Sequence, residues 1–483
     1  MNKISMKFIY GILAGTFFCA NISCDKYLDI NTSPLTATAV EPKLLFGYAV
    51  TAWDANKNSG DAWIPIGLMT QNMASGGDYG WEKSNLYNIS SYSIGNTWKV
   101  YYSTAGNNLK QAIKVAEAAD PVNHNAAAQS KIVLAQLVYE VTTLYGDVPF
   151  AEAWDPENYP YPKYDKQKDV LNGVIALLDE AIAQIDESNP LKIADYDIYY
   201  KGDMAKWKKL ANSIKFKTYM VMADADPTVE AKIGELLHAN TTMISNQNES
   251  WIHKYYTTVN NENPKYRLLK TYTNGQNQWF FANVNVFNYM DAEDPRMSRY
   301  FEQGSLGTYV PVETEENANE ETSLISSYLY RPDAPSIILS YQEILLLQAE
   351  AYVRGLGVSQ DLNKANELFK EAVKAACLFY EADVAATADY VEHTLVDLTT
   401  ASNPLREIHL QQWIDLMDRP VEAFVQWRRS GVEGQEVPAL TVPPGATSGP
   451  LIRRWVLSPE ETAANPNIPN PQPKHTDKMW FDL

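Results

Sequence analysis

The chain has 483 residues, 45% of them hydrophobic and 20% charged, enough to bury a sizeable core and too apolar for a disordered chain. Its 59 acidic against 40 basic side chains leave a formal charge of -19, which repels polyanions and argues against nucleic acid as a partner. The 30 Tyr and 12 Trp are the compositional excess, to be divided between core filling and ring faces held out for a ligand.

Lys3 and Lys7 precede an apolar run from Phe8 to Ala20, too short to cross a bilayer as a helix, so residues 1–23 read as an export signal. Ser23-Cys24 places a small residue before a cysteine, as in bacterial lipoprotein signals, where that cysteine is acylated and becomes the new N-terminus. Asn21 departs from the Leu usual in such signals, and plain secretion is the alternative. Residues 24–42 read as an extended tether and residues 43–483 as one domain. Cys377 is then the one cysteine of the body, on a helical stretch beside Ala376, Leu378 and Phe379, which predicts a buried, inert thiol.

A first helix is predicted over Leu44 to Trp53 and a second over Trp63 to Met73, before the Gly76-Gly77 break. Ser75 to Thr97 mixes Tyr79, Trp81, Tyr87 and Tyr92 with Asn72, Asn85 and Asp78 on loop and margin, a combination suited to sugars: apolar ring faces stack while amides and carboxylates take hydroxyls. Trp98 to Ala119 reads as one long helix. Leu134, Val138, Val141 and Tyr145, widened by Ile132, Leu137 and Leu144, mark an interior helix from Ala126 that Gly146 ends and Pro149 forbids from continuing. The next helix opens near Asp165, a potential cap, and carries Val174, Leu178, Ala181 and Ile185 on one face. Between the two, Phe150, Trp154, Tyr159, Tyr161 and Tyr164 alternate with four prolines, which predicts an ordered loop packed over a helical hairpin.

Asp203 starts a further helix to Met222, whose Lys206, Lys208, Lys209, Lys215 and Lys217 read as a solvated face. From Ile244 to Val312 helical periodicity weakens, and Trp251, Tyr255, Tyr256, Tyr266, Tyr272, Trp279 and Phe280 sit among Asn and Gln, a second ligand-site candidate. Glu313 to Thr322 is an acidic surface insertion. Ser340 and Glu343 have capping-box spacing, Gly355 stops the helix they open, and Ala365, Phe369 and Ala372 follow on its partner. That small-and-large spacing resembles a tetratricopeptide repeat, where alanines let paired helices approach. Leu451 to Leu457 alternates like a strand.

The run Tyr145-Gly146-Asp147-Val148-Pro149-Phe150-Ala151-Glu152-Ala153, followed by Pro162-Lys163-Tyr164-Asp165, resembles a paired motif of the SusD/RagB-like nutrient-binding outer-membrane lipoproteins. Trp98-Lys99-Val100-Tyr101-Tyr102 with Asn107-Asn108-Leu109, Asp294-Pro295-Arg296, Gln411-Gln412-Trp413-Ile414, Gln426 to Gly431 and Pro459-Glu460 with Asn465 resemble further segments of that family. The resemblance implies a mainly α fold, in which tetratricopeptide-like helical pairs scaffold an irregular, loop-rich, ligand-facing half. It also implies a nutrient-binding protein on the outer membrane, lipid-anchored through Cys24 and facing the cell exterior, that delivers a glycan or another nutrient to a SusC-like TonB-dependent transporter.

No catalytic constellation emerges: the six histidines never fall at a metal-ligand spacing, and nucleophile-elbow, phosphate-loop and dinucleotide fingerprints are missing. The expectation is therefore binding without catalysis, with no cofactor and no metal, resting on Tyr79, Trp81, Trp251 and Trp279. A helical-repeat scaffold for another protein and a secreted glycoside hydrolase built on two carboxylates are the alternatives.

Overall fold

The computed structural model describes residues 40–75, 84–238, 242–313, 318–446 and 449–483. The export signal, Cys24 and nearly all of the tether lie outside them, as do Tyr79 and Trp81. Residues 42–483 make one unit by themselves.

Helix α1 (Pro42–Lys57) turns Phe46, Ala49, Val50 and Trp53 inward, and α2 (Trp63–Met69) is buried on every side. The chain leaves α2 through strand β1 (Met73–Ala74). Helix α3 (Ser91–Lys99) begins earlier than the spacing from Trp98 predicts, because the Ser90 side chain accepts the Tyr92 N–H and caps it. The single helix expected here is broken: α3 passes through a π-helical turn, Val100–Gly106, before α4 (Asn107–Glu117). The shift accompanies an inserted side chain: the Tyr102 carbonyl accepts Trp154 Nε1 at 2.8 Å as well as the Asn107 N–H five residues on, one place beyond the partner a regular α-helix would give it.

Helix α5 (His124–Tyr145) is interior along almost its whole length, as its apolar stripe requires, and Gly146 closes it at φ 83°. The opening of α6 (Gln167–Gln184) differs from expectation. Asp165 does not cap it; its carboxylate accepts the Phe150 and Ala151 N–H groups, both at 2.9 Å, while Asp147 takes the Gln167 N–H at 2.9 Å. The two aspartates exchange tasks because the intervening loop folds back, bridging Val148 to Asp165.

Helices α7 (Met204–Met222) and α8 (Glu230–His238) extend the stack, so that α4 to α8 pack pairwise in sequence. An irregular stretch follows: β2 (Trp251–His253), α9 (Pro264–Thr273), β3 (Phe281–Ala282) antiparallel to β1, and the one-turn helices α10 (Val284–Phe287) and α11 (Met297–Tyr300). Asp294 and Arg296 form a fully buried ion pair that fixes the turn into α11. Strand β4 (Ser336–Leu339), antiparallel to β2, leads into the α12 (Tyr341–Arg354) and α13 (Leu362–Phe379) hairpin. There Ala365, Phe369 and Ala372 are buried against Leu345, Leu346 and Ala349, as the repeat-like spacing predicts. Ser340 caps α12 through the Glu343 N–H at 3.2 Å, but the Glu343 carboxylate leaves the box and binds Arg419. Cys377 is fully buried and its thiol is pushed up to about 11 by burial, in keeping with an inert group.

Helices α14 (Val384–Asp389), α15 (Pro404–Asp415), α16 (Pro420–Arg429) and α17 (Pro459–Ala464) complete the order. Residues 451–457 are not a strand. The Arg453 and Arg454 N–H groups both go to the His475 carbonyl, and the Trp455 N–H reaches the Leu144 carbonyl at the end of α5, with Ile452, Arg454, Trp455 and Leu457 buried.

Buried charge ties these helices together. Lys217 is not on a solvated face: its Nζ lies 3.0 Å from Glu422, and both are buried. Glu140 on α5 accepts from Trp53 at 2.8 Å and Tyr101 at 3.1 Å, and Glu350 on α12 is gripped by Arg429, Arg354 and Gln412. Burial alone would raise the Glu350 carboxyl, but the charge and hydrogen bonds of Arg429, with the His409 ring 3.6 Å away, outweigh it and hold it well below the ordinary 4.5. Asp54 follows the same pattern, burial being outweighed by His253, Ser336 and Tyr255 so that it sits below its ordinary 3.8. Folded values below unfolded ones mean stability that is complete above the carboxylate range and lost as pH falls through it. Asp418, pushed up by burial, acts in the opposite sense. The urea midpoint is therefore expected to fall between about pH 5 and about pH 3; a midpoint flat across that window would contradict the two depressed carboxylates.

Candidate functional site

The loop between α5 and α6, residues 146–164, is the element that builds a site. Its backbone is pinned by the Asp165 carboxylate at Phe150 and Ala151, by Asn465 Nδ2 donating to the Pro162 carbonyl at 2.9 Å, and by Asn467 Nδ2 donating to the Tyr161 carbonyl at 2.6 Å. Within it Trp154 adopts a left-handed backbone, φ 62°, a conformation that costs a side-chain-bearing residue on the order of 1 kcal/mol. The cost is offset by the Nε1 bond to Tyr102 and by a stack on the Tyr102 ring, centroids 5.5 Å apart and planes 24° off parallel. Gly106 makes the approach possible, since a Cβ there would come within 2.7 Å of the Trp154 indole.

The stack continues. Tyr102 lies 4.5 Å from Trp98, and Trp98 lies 6.4 Å from Tyr164 at 16°, a ladder of four rings with each good pair contributing about 0.5–1.5 kcal/mol beyond simple burial. Tyr102 donates to the Pro149 carbonyl and Tyr164 to Glu461 Oε1, both at 2.8 Å, so the polar ends are satisfied and the ring planes fixed. Burial, then the charges of Glu461 and Asp165, push the Tyr102 hydroxyl well above its ordinary value and keep it a neutral donor.

Beside this ladder opens a cleft of about 770 Å³ between α3, the π-helical turn, the 149–162 segment and α17. That size lies in the range of small-ligand sites. Tyr92, 73% exposed, and Tyr159, 43% exposed, stand among its lining residues. Asn96, Asn107, Glu152, Asp155 and Glu460 supply amide and carboxylate groups between the rings. Glu152 is held in place by the Lys163 N–H at 2.9 Å. A concave surface with several flat apolar faces and acceptors between them can bind a polyhydroxylated ring without breaking a bond.

Of the stretch from Ser75 to Thr97 expected to meet a ligand, Tyr92 lines the cleft, but the four residues singled out there and in the second candidate stretch are not seen in it. Tyr79 and Trp81 lie outside the described residues. Trp251 is corrected to a core residue: it points inward from β2, is fully buried, and packs on Trp53, Tyr199 and Trp207, leaving no ring face for a ligand. Trp279 is only 6% exposed and lies beneath Tyr272, 5.6 Å away and 63% exposed, so the ring presented there belongs to Tyr272. Neither Trp251 nor Trp279 lines the cleft. The signal for the cleft was present in the ring-and-proline loop and the Trp98 to Tyr102 run, but sequence reasoning assigned both to packing.

A family model described as starch-binding and associating with the outer membrane matches residues 36–454. The chain belongs to this SusD-like family. Solved structures agree in fold: a chitin-binding protein is 22% identical, with TM-score 0.75, covering 92% of this chain and 100% of its own. A SusD/RagB family protein from Bacteroides thetaiotaomicron is 19% identical, TM-score 0.76, covering 92% and 99%. A SusD homolog from Parabacteroides distasonis is 16% identical, TM-score 0.74, covering 91% and 98%. None of the curated proteins matches the chain. The mostly helical, tetratricopeptide-like architecture of this SusD-like protein is thus the one its sequence predicts.

Proposed function

We propose that this SusD-like protein captures a glycan in the cleft beside the Trp154–Tyr102–Trp98–Tyr164 ladder and passes it, uncleaved, to a SusC-like TonB-dependent transporter in the outer membrane, to which a lipid on Cys24 holds it. The observation that carries the reading is the coincidence of the exposed Tyr92 and Tyr159 rings and the half-buried Trp154 with amide and carboxylate groups in one cleft of about 770 Å³. The family's description as starch-binding and outer-membrane-associated supports the ligand class and the location.

The test is a calorimetric titration of the purified chain against neutral oligosaccharides, starch- and chitin-derived among them, followed by mass analysis of the sugars. Binding with the sugars recovered intact is expected. Trp154→Ala removes the rung nearest the loop and is expected to weaken binding by about tenfold to a hundredfold, since losing one stacked ring costs roughly 1–3 kcal/mol. Unchanged affinity in that variant would move the site away from the cleft, and shortened products would replace capture with hydrolysis.

A further inference from the structure

The carboxylates of the cleft carry information beyond the rings. Glu152, Asp155, Glu460 and Glu461 line it, against one cationic side chain, Lys99. Of these four, Glu152 alone has an ion-pair partner among the described residues, Lys163 at 3.3 Å. Glu461 is held by neutral donors, the Tyr164 hydroxyl and Asn465 Nδ2 at 3.0 Å, and Asp155 by Asn158 Nδ2 at 2.8 Å. Glu460 is exposed beside Gly95, where a Cβ would lie 3.0 Å from its Oε2. Among the described residues three of the four carboxylates therefore have no cationic partner, and the surrounding chain, at -19 overall, adds to the field.

A neutral sugar needs acceptors but not this excess, and an anionic sugar would be driven out by it. A ring carrying an ammonium group meets both features at once, its apolar face on an indole or phenol and its charge on a carboxylate. We propose that the cleft selects glycans bearing free amino groups, such as oligomers of de-N-acetylated hexosamine, over their N-acetylated counterparts, and excludes uronic-acid glycans. This rests on the reading of the cleft as a glycan site and assigns the ligand's charge class. Glu460 and Asp155 are the residues that carry the selection, while the rings that line the cleft, Tyr92, Tyr159 and Trp154, supply the common affinity.

The test titrates the whole mature chain with hexamers of glucosamine, N-acetylglucosamine and galacturonic acid at about pH 6, where aliphatic amines are protonated. The glucosamine hexamer is expected to bind at least about tenfold more tightly than the N-acetylated one, with the ratio shrinking in about 0.5 M salt as screening sets in. Galacturonate is expected not to bind. Glu460→Gln and Asp155→Asn should each cut the glucosamine to N-acetylglucosamine ratio several-fold. Equal affinities for the two hexamers, or a ratio indifferent to both substitutions while Trp154→Ala abolishes binding, would overturn the charge selection and leave the glycan site standing. No binding to any hexamer or to the neutral oligosaccharides would overturn the glycan reading itself. A lysine hexapeptide bound as tightly as the glucosamine hexamer would overturn the selection for a sugar.

Discussion

Replacing Glu350 by Ala is expected to lower the stability of the fold by about 3–5 kcal/mol, the cost of removing one partner from a buried ion pair. Glu350 is fully buried on α12, and its oxygens meet Arg429 NH1 at 3.0 Å and NH2 at 2.5 Å, Arg354 NH1 at 2.9 Å and Gln412 Nε2 at 3.1 Å. Arg429 keeps a bond to Gln426 at 2.7 Å but has no route to water, being 3% exposed on α16. The truncation therefore leaves a buried guanidinium without its counter-charge, a far larger penalty than the modest net value of an intact pair. Urea unfolding reads the effect as a lower midpoint. Replacing Glu350 and Arg429 together by Met should recover much of the loss, because two apolar side chains carry no desolvation penalty. A single variant within about 1 kcal/mol of the parent would show that the pair does not hold α12 against α16.

Gly173→Ala is expected to have the opposite sign from the ordinary helical rule. In the middle of α6 an alanine should gain about 1 kcal/mol over glycine. Here the added Cβ would lie 2.1 Å from Phe150 Cε1, so the ring must leave the seat that starts the cleft loop. A loss of about 1–3 kcal/mol is expected instead, the usual cost of overpacking. Weaker oligosaccharide binding should accompany it, because Phe150 is followed by Glu152 and Trp154. With Phe150→Ala already in place the collision is gone, and the same glycine substitution should then stabilise by up to about 1 kcal/mol. A reversal of sign between the two backgrounds is the measurement; stabilisation in both would show that Phe150 does not dock on α6.

Both expectations depend on contacts that no local pattern displays. Lys217 lies on a helix whose lysines look solvated, and it is buried because Glu422, 205 positions further on, meets it there. Asp165 is the local candidate to cap α6, and only the fold-back of the loop gives the α6 N–H to Asp147, 20 positions earlier, and the loop's N–H groups to Asp165. Trp251 and Trp154 are the same residue type in aromatic-rich surroundings. One is sealed in the core by an inward strand position, and the other is aimed into a cleft by a left-handed backbone and a glycine beneath it.

What the sequence determined by itself is the repeating helical framework: the unbroken stripe of α5, its stop at Gly146, the one-sided face of α6 and the small residues that let α12 and α13 close on each other. These follow from spacing along a few turns, and the motif resemblance rests on equally local runs. The cleft is decided only in three dimensions. It exists where segments 91–107, 149–162 and 458–464 meet, so its depth, its ring ladder and its unpaired carboxylates are properties of chain segments brought together across more than 300 residues, which no window of sequence contains.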